Sequence, residues 1–168
     1  SNNPNIHQYY QIIDGKTASL FGICAGAGCR IAGGTKLQKE LMEQCGIFVG
    51  RAFQVIDDWL DFSKYGDEDD KPRGIDISSG IFTLPVILLL NHCNKMEKIE
   101  LEQILLRGFA SGQTEPIIEY LSLKYFIADE VLQIAGELIN KAEAIFLRTN
   151  PNANTANIKI FFNSILAF

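Results

Sequence analysis

The chain is predicted to be all-α on three observations. No convincing pair of strands occurs anywhere in its 168 residues. Apolar residues instead recur at three- and four-residue spacing through most of the sequence. Glycine and proline fall between those stretches, where helices stop and start. At 47% hydrophobic and 21% charged, the composition is that of a globular protein and supports one core.

Residues 1–6 are polar, contain Pro4 and read as a leader; residues 7–168 read as a single helical domain. From His7 a helix carries Tyr10, Ile13, Thr17, Leu20, Phe21 and Cys24 along one side. Lys16 lies within it as a surface residue reaching to water. Gly22, Gly26 and Gly28, with Ala25, Ala27 and Ala32, leave this helix thin enough for another to approach its backbone, and Gly33-Gly34 ends it. Those glycines match neither a dinucleotide nor a P-loop fingerprint, because no strand precedes them and no Gly-Lys-Ser/Thr closes them.

Thr35 is placed as the N-cap of a second helix running to about Phe62, in which Gly46 and Gly50 again permit a close crossing. Residues 63–80 form a polar break with Gly66, Pro72 and Gly74, a run of acids from Asp67 to Asp70, and the cations Lys71 and Arg73. The apolar run Ile81 to Asn91 reads as a buried helix with Pro85 in its first turn. Helices follow at about Lys98 to Phe109, Thr114 to Lys124 and Phe126 to Leu147. The tail sets Ile158, Phe161, Phe162, Ile165 and Phe168 on one side, and with a single lysine it is expected to pack on the bundle rather than lie on a membrane.

The composition also narrows function. A net charge of −5 without a basic stripe argues against nucleic acid. The cysteines Cys24, Cys29, Cys45 and Cys93 form no CxxC pair, and reduced thiols buried among helices are expected, in a cytoplasmic protein with an organellar location left open. No apolar run reaches the eighteen or so residues of a membrane span.

The chemistry-bearing stretch is Gln54 to Asp61, Gln-Val-Ile-Asp-Asp-Trp-Leu-Asp. On a helix Gln54, Asp57, Asp58 and Asp61 fall at i, i+3, i+4 and i+7, so an amide and three carboxylates crowd one face. Like charges a turn apart repel by a few tenths of a kcal/mol per pair, so such a face calls for a cation. Hard oxygen ligands without nearby histidine or cysteine suit magnesium rather than zinc. A merely solvated acidic face is the alternative reading.

Several stretches together resemble the trans-isoprenyl diphosphate synthase, or polyprenyl synthetase, family. They are Asp14-Gly-Lys-Thr-Ala-Ser-Leu-Phe21, similar to its Lys-Thr helix, and Gly50 to Phe62, similar to its second aspartate-rich motif. Asp70-Lys71-Pro72-Arg73-Gly74-Ile75-Asp76, with Thr83-Leu84-Pro85 after it, is similar to a third family segment. The resemblance implies a helical bundle of the isoprenoid synthase type, of which this chain looks like the C-terminal half. It further implies a magnesium-dependent prenyltransferase, usually dimeric, that joins isopentenyl diphosphate to an allylic diphosphate. In that scheme Asp57, with Asp58 and Asp61 directly or through water, holds Mg2+. Lys16 and Lys71 meet the diphosphate, and Thr17 and Gln54 face the allylic cation. The family's first aspartate-rich motif has no counterpart here, and Ile81 stands where a lysine is usual. A missing N-terminal half or a partner chain, in a homodimer or heterodimer, is therefore expected to supply the rest, and this chain alone to be inactive. A non-catalytic partner subunit is the second reading, and a helical interaction module the third.

Overall fold

Helix boundaries follow from capping chemistry that is written in the sequence. The computed structural model describes residues 5–63, 82–107 and 115–166. Among these are eight α-helices, one π-helical turn and no strand, in agreement with the all-α expectation. α1 (Ile6–Ile13) passes through the π-helical turn (Asp14–Ala18) into α2 (Ser19–Ile31), followed by α3 (Lys36–Ser63). Then come α4 (Leu84–His92), α5 (Lys95–Arg107), α6 (Glu115–Lys124), α7 (Ile127–Thr149) and α8 (Thr155–Ser164). No described helix is long and apolar enough to cross a membrane.

α2 stops because Gly33 takes φ 83°, a left-handed conformation that costs glycine nothing. Its amide then bonds to the Arg30 carbonyl, and that of Gly34 to the Cys29 carbonyl. α3 starts with a reciprocal box: the Gln38 amide donates to Thr35 Oγ1, and the Thr35 amide to Gln38 Oε1. Asn94 and Glu97 form the same box at the head of α5, which therefore begins three residues before the expected Lys98.

The chain divides into two compact units, Ser1–Tyr9 with Asp57–Val131, and Tyr10–Ile56 with Leu132–Phe168. In the first, α4 is apolar all round, with Leu84 to Leu90 buried and Pro85 in its first turn. Glu97 accepts from Lys124 Nζ at 2.5 Å and from the Tyr125 hydroxyl at 2.6 Å. The bonds from Lys124, Tyr125 and the Asn94 amide hold the Glu97 carboxyl down at about 2 from an ordinary 4.5. A carboxylate more acidic folded than unfolded contributes stability that is full above its unfolded pKa and lost as pH falls through the folded one. Glu97→Gln is therefore expected to flatten the decline of the urea midpoint between about pH 5 and pH 2, read by circular dichroism.

α6 ends unusually. Phe126 takes φ 52°, where glycine is the common occupant, while its side chain is 69% exposed. A left-handed conformation costs a β-carbon-bearing residue about 1–2 kcal/mol, against up to about 1 kcal/mol of extra chain entropy that glycine must lose. Phe126→Gly is expected to raise the urea midpoint slightly, whereas a fall would show that the exposed ring is stabilising.

In the second unit α2 and α3 cross with backbones in contact. A Cβ on Gly46 would lie 2.4 Å from the Phe21 carbonyl oxygen, and one on Gly50 2.7 Å from Ala18 Cα. Gly22 and Gly26 also face α3, but Gly28, expected to share in the crossing, has nothing within 4 Å. Next to Gly46 on α3, the Cys45 thiol donates to the Ala142 carbonyl of α7, and burial pushes its pKa up to about 11. The expected burial holds for Cys45 alone: Cys24 is exposed and Cys29 half-covered, as Cys93 is in the first unit, because α2 turns its Cys24 side outward. α8 is capped by Asn154 and fixed by Phe162, buried edge-on against Phe146 at 5.9 Å. Phe161, expected on the packed side, is 59% exposed, since one residue along a helix turns the side chain by about 100°. Phe168 lies outside the described residues.

Candidate functional site

The π-helical turn decides what the Lys-Thr segment presents. An uninterrupted α-helix would bury positions four apart, taking Ile13 to Thr17. The buried line runs Tyr9, Ile13, Ala18, Gly22, Gly26, with one five-residue step across the turn. A single inserted residue shifts the inward face by about 100°. Ala18 thus takes the core position and Thr17 is left half-buried beside it. This overturns the expected inward line through Thr17, Leu20 and Cys24: Leu20 and Cys24 are exposed.

Thr17 is close to α3 as a result. Its hydroxyl donates to Gln54 Oε1 at 2.6 Å, and Gln54 itself is 3% exposed. With its proton committed to the amide, the threonine presents oxygen lone pairs, a fixed dipole with the negative end outward. Lys16, one residue earlier on the turn, is exposed. Asp14 and Arg51 bracket the same region. Arg51 Nε and Nη2 donate to Asp14 Oδ1 and Oδ2, each at 2.6 Å. Sequence reasoning missed this pair, whose one visible signal was a lone acid and a lone base three residues ahead of Thr17 and Gln54.

The three aspartates of α3 do not share one environment. Asp57 and Asp61 are exposed one turn apart, whereas Asp58 is buried and accepts a hydrogen bond from the Tyr9 hydroxyl at 2.7 Å. Tyr9 was not anticipated either, since the constant helical period had pointed to Tyr10. Among the described residues no group of three or more His, Cys, Asp or Glu is placed to hold a metal ion by itself. Magnesium keeps several waters and takes one or two carboxylates plus substrate phosphates. The donor set at Asp57 and Asp61 fits it. Lys71, with Asp67 to Asp70 and Arg73, lies outside the described residues.

The polyprenyl synthetase family model matches residues 1–121. This chain belongs to the polyprenyl synthetase family. It is 30% identical over 160 residues to an octaprenyl diphosphate synthase of Haemophilus influenzae, an alignment covering 94% of this chain and 48% of the relative. The chain thus spans about half the length of the curated relatives it matches. Among solved structures, a decaprenyl diphosphate synthase from Rhodobacter capsulatus superposes with a TM-score of 0.80 at 22% identity, over 98% of this chain and 50% of that one. A polyprenyl synthase from Caulobacter crescentus, solved with calcium and isoprenyl diphosphate, gives 0.77 at 27% identity, over 98% and 49%. The family fold is the all-α isoprenoid synthase type, and the helices described above belong to it.

Proposed function

We infer that this chain forms the second aspartate-rich part of a trans-prenyltransferase that extends an allylic diphosphate with isopentenyl diphosphate. The observation that carries the reading is the pairing of Thr17 with Gln54 on the helix that exposes Asp57 and Asp61 three and seven residues further on. An uncharged, oxygen-rich pair and a hard-cation face are the two features that ionisation of an allylic diphosphate requires. Membership of the family supports it.

In this reading Asp57 and Asp61 hold Mg2+, and Asp58, tied to Tyr9, braces the helix between them. Magnesium, when bound, supplies positive charge for the diphosphate oxygens as the allylic C–O bond breaks. Lys16 and Lys71 meet the same diphosphate as point charges. The Thr17 and Gln54 dipoles face the carbon cation and stabilise it, and the Gln54 amide oxygen is too weak a base to take the Thr17 proton and so complete a trap. The isopentenyl double bond then attacks, and a proton leaves the adduct. The isopentenyl diphosphate site and a first aspartate-rich motif are assigned to a further segment or a partner chain, in a homodimer or heterodimer.

The test is incorporation of radiolabelled isopentenyl diphosphate by the native polypeptide, supplied with geranyl or farnesyl diphosphate and magnesium. Chain extension that stops on chelation with EDTA is expected. A native assembly that binds both substrates and forms no new C–C bond would instead favour the non-catalytic subunit.

A further inference from the structure

Two links join the π-helical turn to α3, and they are in step: Asp14 and Thr17 are three residues apart on the turn, as their partners Arg51 and Gln54 are on the helix. The first is a bidentate fork, each bond 2.6 Å, with both side chains largely covered. Arg51 is also held from the sides, its guanidinium 5.3 Å from the centre of the Tyr10 ring and 5.7 Å from that of Phe48. The hydrogen bonds to Asp14 raise the Arg51 pKa further, so the guanidinium keeps its charge. A planar guanidinium fixed by a fork and by rings has little freedom left, unlike a lysine in the same place.

The turn needs such a restraint. Its hydrogen bonding is of a rare type, the Ser19 amide donating to the Asp14 carbonyl five residues back, and Gly15 adds no side-chain packing. Relaxation to a regular α-helix would rotate everything beyond the turn by about 100° and carry Thr17 into the core line that Ala18 occupies. The Thr17 bond to Gln54 could not survive that change.

We propose that Asp14 and Arg51 form a clamp that fixes the π-helical turn, holding Thr17 in register with Gln54 and Lys16 at the surface beside it. Both are positioning residues: neither belongs to the cation-facing pair, and they act through Thr17. The inference rests on the prenyltransfer reading for its effect on rate, but not for its effect on the turn.

The experiment compares Asp14→Asn, Thr17→Val and the double variant in the native polypeptide. Asp14→Asn is expected to lower kcat about tenfold, with the KM for the allylic diphosphate changed less than about twofold, because misplacement of a reacting-site group acts on the chemical step. In the Thr17→Val background the same substitution should cost less than about twofold, since residues acting through one geometry are not additive. A tenfold loss in both backgrounds, or none from Asp14→Asn, overturns the proposal. Hydrogen exchange of the Ser19 amide provides a readout that needs no turnover: about tenfold faster exchange in Asp14→Asn, with α7 amides unchanged, upholds the clamp. Unchanged exchange at Ser19 overturns it. Faster exchange in a polypeptide that transfers no prenyl group upholds the clamp and removes the prenyltransfer reading alone.

Discussion

Asp57→Ala is expected to lower the rate of prenyl transfer by about a hundredfold or more, because one site-forming charge at a developing anion is worth several kcal/mol. The loss should appear in kcat/KM for the allylic diphosphate, with the circular dichroism spectrum and urea midpoint close to those of the unsubstituted protein, since Asp57 is exposed on α3. Asp58→Ala should behave differently. Its carboxylate is buried and accepts the Tyr9 hydroxyl at 2.7 Å, so truncation removes a buried hydrogen bond and is expected to destabilise the fold by about 1–3 kcal/mol. Steady-state rates with chemical denaturation separate the two. Equal behaviour of the variants would remove the distinction between a ligand-holding and a bracing aspartate.

The second large effect lies away from the acids. Gly46→Val is expected to destabilise the protein by about 3 kcal/mol or more, beyond the 1–3 kcal/mol typical of an overpacked core. Its Cβ would fall 2.4 Å from the Phe21 carbonyl oxygen and 2.8 Å from Gly22 Cα, which are backbone atoms that cannot rotate away. The same displacement would push α2 and the π-helical turn off α3, separating Thr17 from Gln54, so activity should be lost with stability. Gly28→Ala is the control: a Cβ there meets nothing within 4 Å, and mid-helix alanine is favoured over glycine by about 1 kcal/mol. Urea midpoints of the two variants are expected to move in opposite directions.

Much of the fold was legible because helix ends are local. Thr35, Gly33-Gly34 and Pro85 each act within a turn of where they stand, and the structure uses each as its chemistry suggests. The one-face spacing of Gln54, Asp57, Asp58 and Asp61 was equally local, being fixed by helical geometry once α3 was recognised. Four features resisted for physical reasons. The slip at Asp14–Ala18 breaks the constant period on which any reading of an apolar stripe depends, so Tyr10 and Thr17 were placed in a line that belongs to Tyr9 and Ala18. The Tyr9 to Asp58 and Arg51 to Asp14 bonds join residues 49 and 37 positions apart, and no sequence period reports a contact at that range. Spacing marked the Asp58 carboxylate as one of three, while burial separates it from the other two. At Phe126, a left-handed residue occurs where composition carries no glycine or asparagine to announce it.

The measurement that bears most directly on the central claim is calorimetric binding of inorganic diphosphate to the native polypeptide, with and without magnesium, in the unsubstituted protein and in Asp57→Ala. Binding that needs magnesium and is lost in Asp57→Ala is the predicted result. Diphosphate binding that persists with EDTA present, or is unaltered by Asp57→Ala, would contradict the assignment of the α3 acidic face as the cation-holding part of a prenyltransferase site.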